Sequence, residues 1–288
     1  MENRFNDAFL EIINNKYEEK YIDYLNTLKN DDLSKKLITI LKEKELSKRL
    51  EMWNDFTIKL NEIKDVKYLS NPFYIGYGSP NAEILFLGKE KAIDVAGSPE
   101  IFFHESINNI FQWEQLSIGN DEDLKLVFNP LCPQSYHKVK NNHTIKKRDT
   151  WGMYAQIVEG ISRNEEISHD NFFDYCFTTE VNFIPSKYSD HLKLHSERTE
   201  LLQRQFYKNF KYVIIGAVGS IDTEKINEIF GECLESEPFK IGENKSREIK
   251  ITVFKNNNQK IILCNQLSGA SGWTTEAIQE LIRVIKTN

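Results

Sequence analysis

The stretch FYIGYGSPNAEILFLGKEKAIDVAG, residues 73–97, contains a turn, an apolar run and an abrupt change to charged residues. Its apolar run, AEILFLG (82–88), has the length and composition of a buried strand. Gly88 ends that run, and Lys89, Glu90 and Lys91 follow it directly. The stretch therefore predicts the first strand of a sheet, with a polar corner where the strand ends.

Four further apolar runs follow this one along the chain: CFTTEVNFIP (176–185), KYVIIGAVG (211–219), IKITVF (249–254) and KIILCNQ (260–266). Helix-length patterns alternate with the runs, at 150–162, 196–210, 223–233 and 275–286. Strands that alternate with helices indicate βαβ units. The sequence thus predicts an α/β fold, a three-layer sandwich with a central, mainly parallel sheet. Ligands bind beyond the carboxyl ends of such strands, so Gly88, Pro185, Gly216 and Asn265 are candidate rim positions.

Residues 1–70 differ in composition from the rest of the chain, because they contain no glycine and no proline. Their apolar residues recur at helical spacing, which predicts two or three helices. We interpret this part as an N-terminal helical extension, either a lead-in and cap or a module that binds a protein partner. Residues 71–288 are predicted to be the α/β domain, with an insertion around 110–148.

Composition excludes several classes of protein. The 288 residues are 40% hydrophobic and carry a formal charge of -6, so a globule without a general affinity for nucleic acid is expected. The four cysteines form no CxxC pair, and no signal peptide or membrane-spanning run is present. We expect a cytoplasmic protein that makes no membrane contact, with no metal and no cofactor. His191 and His195 have helical i, i+4 spacing, which is the pattern of either two metal ligands or an ordinary surface pair.

The order of several segments resembles that of the uracil-DNA glycosylase superfamily over about residues 70–288. The segments are AEILFLG with its polar corner, GSPEIFF (97–103), FTTEVNFIPSK (177–187), YVIIGAVGS (212–220) and IILCNQLSGASG (261–272). The resemblance implies the corresponding fold and the excision of a base from DNA during repair. In that chemistry a flipped-out base is held by stacking while its N-glycosidic bond is hydrolysed. The iron–sulfur cysteines of some branches have no counterpart, so no cluster is expected.

The resemblance implies roles for the first two segments. The loop Gly88-Lys89-Glu90-Lys91 takes the place of the loop that handles water, which makes Glu90 the candidate catalytic carboxylate. Lys89 and Lys91 are expected either to favour the ionised form of Glu90 or to contact phosphate. Phe102 or Phe103 is the candidate ring that stacks on the base. The alternatives are a solvated corner at Lys89 and Glu90 and core packing for the phenylalanines.

Three positions depart from the pattern of uracil excision: Lys89-Glu90 in the loop described above, Glu180 and Asn265. Glu180 falls where uracil-recognising members have an asparagine, and an ionised Glu only accepts hydrogen bonds. Ordinary uracil excision is therefore not expected of Glu180. One alternative is an alignment shifted slightly along the strand, in which Asn182 recognises the base. Another is that Glu180 forms an ion pair with Lys187. Asn265 stands where the superfamily has a histidine that donates to the leaving base, and its amide stabilises an anion less well.

Contacts with DNA phosphates are expected at two places. The segment HKVKNNHTIKKR (137–148) is basic in an acidic chain, which is typical either of a loop that follows a phosphate backbone or of a mobile surface loop. The loop before the last helix offers hydroxyl and N–H groups near a helix N-terminus, with a tight turn and cap as the alternative. Trp273 is expected either to wedge into a duplex or to staple the helix. The candidate phosphate-binding residues are Lys138, Lys140, Lys146, Lys147, Arg148, Ser268, Ser271 and Trp273.

Two functions fit this sequence. In the first, the protein binds a flipped-out or modified nucleobase and hydrolyses its N-glycosidic bond. In the second, it is not an enzyme and senses a nucleotide or modified DNA, acting through its helical extension. The sequence leaves open which of the two applies and which base is bound.

Overall fold

The structure is a computed structural model. It describes residues 5–28, 31–60, 66–95, 97–119, 128–141, 145–162, 166–186, 194–241 and 249–287. Within these residues the α-helices are α1 (Asp7–Ile13), α2 (Tyr17–Thr27), α3 (Asp31–Lys42), α4 (Leu46–Leu60), α5 (Pro99–Phe102), α6 (Asn109–Ser117), α7 (Pro133–Asn141), α8 (Thr150–Ser162), α9 (Ser196–Leu202), α10 (Gln205–Lys208), α11 (Thr223–Phe230) and α12 (Thr275–Lys286). A π-helical turn, Phe103–Ile107, joins α5 to α6, and short 3-10 turns lie at Val66–Leu69, Phe172–Asp174 and Gly269–Ser271.

Eight strands form one mixed sheet. They are β1 (Tyr77–Gly78), β2 (Ile84–Gly88), β3 (Cys176–Glu180), β4 (Tyr212–Ile215), β5 (Leu234–Glu235), β6 (Phe239–Ile241), β7 (Ile249–Lys255) and β8 (Lys260–Cys264). The order across the sheet is β1-β3-β2-β4-β8-β7-β5, and β6 also pairs with β7. Strands β3, β2, β4 and β8 are parallel neighbours, so their carboxyl ends meet at one edge.

The predicted α/β fold is confirmed, but a mainly parallel sheet is not. Strands β1, β5, β6 and β7 all pair in the antiparallel sense. The reason at β7 is the short connection to β8, where Asn256 N donates to Gln259 O in a tight turn. A parallel crossover needs a dozen residues or more, so four residues permit a hairpin alone. The length of this connection was visible in the sequence.

Helices cover both faces of the sheet because alternate strand residues point to opposite sides. On β2, Leu85 and Leu87 belong to one apolar core, and Ile84 and Phe86 belong to the other. The second core is closed by α8 and α12, whose buried residues recur every three or four positions. Thr274 caps α12 by accepting a hydrogen bond from Ala277 N at 3.2 Å. These two layers fix the direction of the central strands.

The N-terminal helices pack against the first face of the sheet. The Phe9 ring of α1 is fully buried, with its centroid 4.9 Å from that of Phe206 and 6.2 Å from that of Phe177 on β3. The described part of residues 1–70 holds four α-helices, more than the two or three expected. The division at residue 70 stays a prediction from composition, and the helices share an apolar core with the sheet.

Candidate functional site

A cavity of about 760 Å³ opens at the carboxyl ends of the parallel strands. Gly88 and Glu180 reach it from the ends of β2 and β3, and Gly216 reaches it after β4. The other lining residues come from β1 and β3, from the loops after β2 and β8, from the α5 region, and from α7, α8 and the segment before α8. They are Tyr77, Lys89, Glu90, Lys91, Ala92, Ile93, Asp94, Ser98, Ile101, Glu105, His137, Arg148, Asp149, Thr150, Trp151, Tyr154, Thr178, Gln266, Leu267, Ser268 and Ala270.

The Glu180 carboxyl group lies directly over Gly88, its partner in the parallel register of β2 and β3. A Cβ atom on residue 88 would lie 2.0 Å from Glu180 Oε2, so glycine is needed here to leave room for the carboxyl group. Glu180 Oε2 is buried and has no hydrogen-bond partner among the described residues. Burial raises the pKa of Glu180 to about 8, although the nearby Lys91 opposes the shift.

This environment changes the chemistry expected of Glu180. A carboxyl group with a pKa above neutrality is mostly protonated at pH 7, so it offers an O–H donor beside a carbonyl acceptor. Glu180 is therefore not limited to accepting hydrogen bonds, as an ionised and solvated carboxylate would be. Lys187, the alternative ion-pair partner, lies outside the described residues.

Lys91 also lines the cavity, and its amino group is buried. Its Nζ atom donates to Tyr77 Oη at 3.1 Å and lies 3.2 Å from the centroid of the Tyr74 ring. Burial lowers the pKa of Lys91 to about 7, and the nearby carboxyl groups of Glu105 and Glu180 partly offset this effect. The cavity therefore contains a lysine that is substantially neutral near physiological pH.

The loop after β2 is not a solvated corner. Lys89, Glu90 and Lys91 are 6%, 7% and 7% exposed, and Lys89 Nζ lies 3.8 Å from Glu90 Oε1. Backbone bonds fix the loop to the segment after β3, with Asn182 N donating to Lys89 O and Ser186 N donating to Lys91 O, both at 2.9 Å. The alternative interpretation as an exposed polar corner is therefore wrong. These charged groups are held inside the fold.

Arg198 of α9 forms hydrogen bonds with the residues around the end of β3. The side chain is fully buried, and its Nε donates to Glu180 O at 2.8 Å. Its terminal nitrogens donate to Tyr74 O and to Thr179 Oγ1. Arg198 thus ties the end of β3 to the segment that carries the Tyr74 ring.

Aromatic and titratable side chains from α7, α8 and the π-helical turn also line the cavity. His137 Nε2 is 2.6 Å from Glu105 Oε1, and the His137 ring meets the Trp151 ring edge-on at 5.2 Å. Tyr154 stacks on Phe86 with a centroid separation of 4.1 Å. Trp151 and Tyr154 line the cavity and have the flat apolar surfaces that stack on a base.

The predicted base-stacking role of Phe102 or Phe103 does not fit the structure. Both rings are fully buried, and Phe103 stacks on Trp53 of α4 with a centroid separation of 4.7 Å. Two consecutive phenylalanines are buried together because α5 and the π-helical turn lie between the sheet and the N-terminal helices. The neighbouring Ile101 is the residue of this segment that lines the cavity.

The loop after β8 also differs from expectation. Asn265 Oδ1 accepts a hydrogen bond from Lys250 N at 2.9 Å, which turns the amide toward β7, and Asn265 is not among the lining residues. Trp273 is buried, and its Nε1 donates to Gln266 O at 3.0 Å, so it staples the loop and cannot act as a wedge in this structure. Ser268 lines the cavity and lies 2.9 Å from Ser271, Oγ to Oγ. Asn182 is buried outside the lining.

The basic segment 137–148 is partly helical, since α7 extends to Asn141. Lys138 is exposed and forms an ion pair with Asp170 at 3.2 Å, away from the cavity. Lys146 and Lys147 are exposed, and Arg148 reaches the cavity lining beside Asp149. The side chain of Lys140 and the whole of His143 lie outside the described residues. His137 and Arg148 are thus the described residues of the basic segment that line the cavity.

The possible metal pair, His191 and His195, lies only partly within the described residues. His191 lies outside the described residues, and the ring of His195 packs edge-on against Phe183 at 4.9 Å. Across the described residues, no three His, Cys, Asp or Glu side chains lie together in an arrangement suited to a metal ion.

No described helix is both long and apolar enough to cross a membrane.

Sequence reasoning missed several residues of this site. Arg198, Glu105 and Tyr77 are ordinary in the sequence, and nothing in their spacing indicated a shared cavity. Trp151 and Tyr154 had a weak signal, because they follow the basic segment on a helix predicted to pack on the sheet.

Comparisons with models of protein families, with curated proteins and with solved structures gave no match.

Proposed function

We propose that residues 71–288 form a divergent uracil-DNA glycosylase-like domain that binds a nucleobase from DNA and hydrolyses its N-glycosidic bond. The observation that carries the proposal is the meeting of Glu90 and Glu180 in one cavity at the carboxyl ends of β2 and β3. Such an edge is where open α/β sheets bind ligands. The volume of about 760 Å³ is in the range of small-molecule sites and is sufficient for a flipped-out base.

Each wall of the cavity supplies one requirement of base excision. Trp151 and Tyr154 provide stacking surfaces, and the protonated Glu180 carboxyl group offers a donor and an acceptor to the edge of the base. Glu90 is the carboxylate proposed to orient water and to stabilise positive charge on the sugar. Arg148 at the mouth is suited to a flanking phosphate.

Bases with adjacent N–H and C=O groups suit a protonated Glu180. A lactam edge, as in uracil, thymine or hypoxanthine, presents that pair, and a carboxylic acid complements both groups. Uracil therefore belongs among the candidate bases, although a side chain unlike the superfamily's asparagine would recognise it. The choice among these bases is part of the experiment below.

A non-catalytic binding protein is the second candidate, and the position of Asn265 favours it. The side chain bonds to Lys250 on β7, so Asn265 does not bring its amide to the leaving base. Without such a donor, negative charge that develops on the base is less well stabilised. In that case the cavity senses a base or nucleotide without cleaving it, and the N-terminal helices are the proposed route to a protein partner.

Release of free base separates the two candidates. Single- and double-stranded oligonucleotides that contain uracil, thymine mismatches, hypoxanthine or alkylated bases are incubated with the protein, and free base is quantified by mass spectrometry. Glu90→Gln keeps the size of the side chain and removes its charge, and we expect it to lower the rate by about 100-fold or more. Glu51→Gln, on an exposed face of α4, is the matched control and should behave as wild type.

Binding is measured on the same oligonucleotides by quenching of tryptophan fluorescence. Binding without base release in wild type and in both variants supports the sensing function. The absence of both binding and release for every oligonucleotide overturns the proposal of a nucleobase site.

A further inference from the structure

Lys91 has the surroundings of a nucleophilic amine. Its Nζ atom lies between the Tyr74 ring, at 3.2 Å from the centroid, and the Tyr77 hydroxyl group, at 3.1 Å. The residue is 7% exposed and lines the cavity, so a ligand that enters can reach a side chain shielded from bulk water. Base excision as proposed above gives this amine no role.

The hydrogen bonds around Lys91 leave its lone pair available. Tyr77 Oη donates its proton to Glu105 O at 2.7 Å, and it accepts from Lys91 Nζ. Because the tyrosine proton is already committed, Tyr77 does not donate to the lysine nitrogen. A neutral amine in this position therefore keeps its electron pair for a bond to an electrophile.

The charged groups that act on Lys91 come from three elements. Glu105 lies in the π-helical turn, Glu180 ends β3, and Arg198 lies on α9. Glu105 and Glu180 favour the ammonium form, whereas burial and Arg198 favour the neutral amine, and the net effect is the lowered pKa of about 7. His137 reaches this set through its contact with Glu105.

We propose that Lys91 Nζ forms an imine with an aldehyde in the cavity, namely the ring-opened C1′ aldehyde of an abasic deoxyribose in DNA. The inference deepens the proposed function and rests on it, because an abasic sugar is the product that base excision leaves in the same cavity. It adds an activity on the sugar, with covalent capture of the abasic site by the protein.

The step is balanced without a cofactor. The Lys91 nitrogen attacks C1′, a C–N bond forms, and a proton passes from nitrogen to the former carbonyl oxygen, which gives a carbinolamine. A second proton, supplied by the Glu180 carboxyl group or by solvent, lets that oxygen leave as water. The product is a protonated imine between Lys91 and C1′, and added water reverses the reaction.

Borohydride trapping on preformed abasic DNA tests the inference independently of base release. An oligonucleotide with an enzymatically generated abasic site is mixed with the protein and sodium cyanoborohydride, and the covalent complex is resolved on a denaturing gel. Peptide mass spectrometry then locates the reduced adduct. We expect the adduct on Lys91, with a trapping rate that rises by about tenfold between pH 6 and pH 8 as the amine loses its proton.

Lys91→Arg places a permanent cation in the cavity and cannot form this imine, and we expect it to reduce trapping by at least about 100-fold while circular dichroism shows a folded chain. Lys35→Met, on an exposed face of α3, is the control and should trap as wild type. An adduct on other lysines, an unchanged yield in folded Lys91→Arg, or no adduct in wild type overturns the inference. If wild type traps abasic DNA at Lys91 but releases no base from any oligonucleotide, the inference stands and base excision fails.

Discussion

At the scale of single residues, the end of β3 shows how burial changes the chemistry of a side chain. Glu180 is an ordinary acidic residue in the sequence, and its solvated form is ionised at pH 7. In the fold its carboxyl group lies over Gly88 with one oxygen buried, and its pKa rises to about 8. The recognition chemistry of this position therefore follows from its surroundings as much as from its identity.

The raised pKa of Glu180 predicts a pH dependence of stability. Between its ordinary pKa of 4.5 and its folded pKa of about 8, the unfolded chain has lost a proton that the folded chain retains. The free energy of unfolding therefore falls as pH rises through this window, by up to about 1.4 kcal/mol per pH unit. Glu180→Gln removes this contribution, so the variant should lose less stability than wild type between pH 5 and pH 7.

Urea unfolding followed by tryptophan fluorescence at pH 5, 6 and 7 measures this difference. Lys91 does not obscure the result, because its lowered pKa acts mainly above pH 7, where it makes stability rise with pH. The exposed Glu51→Gln serves as the control and should follow wild type. A difference between Glu180→Gln and wild type that stays constant across the three pH values contradicts the prediction.

At the scale of elements, α9 positions the cavity through one side chain. Arg198 joins that helix to the backbone of Glu180, to Tyr74 O and to Thr179 Oγ1. The contacts with Tyr74 and Thr179 are buried, and the contact with Glu180 is partly buried. The end of β3, from which Glu180 enters the cavity, is therefore held by α9 as well as by the sheet.

Replacing Arg198 with methionine should destabilise the protein by about 3 kcal/mol or more. The substitution leaves buried oxygen acceptors without donors, and each such loss costs roughly 1–3 kcal/mol. The measurement is the midpoint and slope of urea unfolding at pH 7. Arg283→Met, at an exposed position of α12, is the matched control, with an expected change within about 0.5 kcal/mol. Equal losses in the two variants would refute the structural role of Arg198.

Connections between elements explain part of what the sequence predicted. Apolar runs that alternate with helices predicted an α/β fold, because strands that helices cover on both faces of a sheet must be apolar along their whole length. The mixed sheet was not predicted, although the short segment between β7 and β8 indicated a hairpin. Short strands such as β1 and β5 have two residues each, too few for a periodic pattern to be recognised.

At the scale of the whole molecule, the N-terminal helices belong to the core on the first face of the sheet. Phe9 contacts Phe206, Phe177 and Trp113, which are far from it in sequence. Arg49 of α4 donates to Glu18 Oε1 and to Asn108 Oδ1, both at 2.8 Å, and so joins three helical segments in the interior. A partner that recognises these helices would have to use their exposed faces.

Phe9→Ala should therefore weaken the whole fold. Loss of a fully buried phenylalanine ring costs about 3–5 kcal/mol, and we expect far-UV circular dichroism and tryptophan fluorescence to report one shared transition. Phe239→Ala, at a position that is 37% exposed at the sheet edge, is the control with a small expected effect. Two separated transitions in Phe9→Ala would show instead that the helices unfold as an independent unit.

The sequence by itself determined the α/β class, the strand-end location of the polar loop, and the candidate residues Gly88, Lys89, Glu90 and Glu180. It could do so because apolar periodicity and abrupt changes of polarity are local properties of the chain. The structure does not support base stacking by Phe102 or Phe103, donation by Asn265 to the base, or a wedge role for Trp273, and it agrees with the alternatives of core packing and a staple. The direction of a side chain depends on what packs around it.

Only the tertiary structure decided which side chains meet at the cavity and in which protonation state. Lys91, Glu105 and Glu180 line the cavity from separate elements, and Arg198 approaches Glu180 from a fourth, so no local pattern could bring them together. Their electrostatics follow from distance and burial, which the register of β2 and β3 and the packing of α9 determine. The corner after β2 is a buried, charged wall of a cavity for this reason, although its sequence alone resembles an exposed turn.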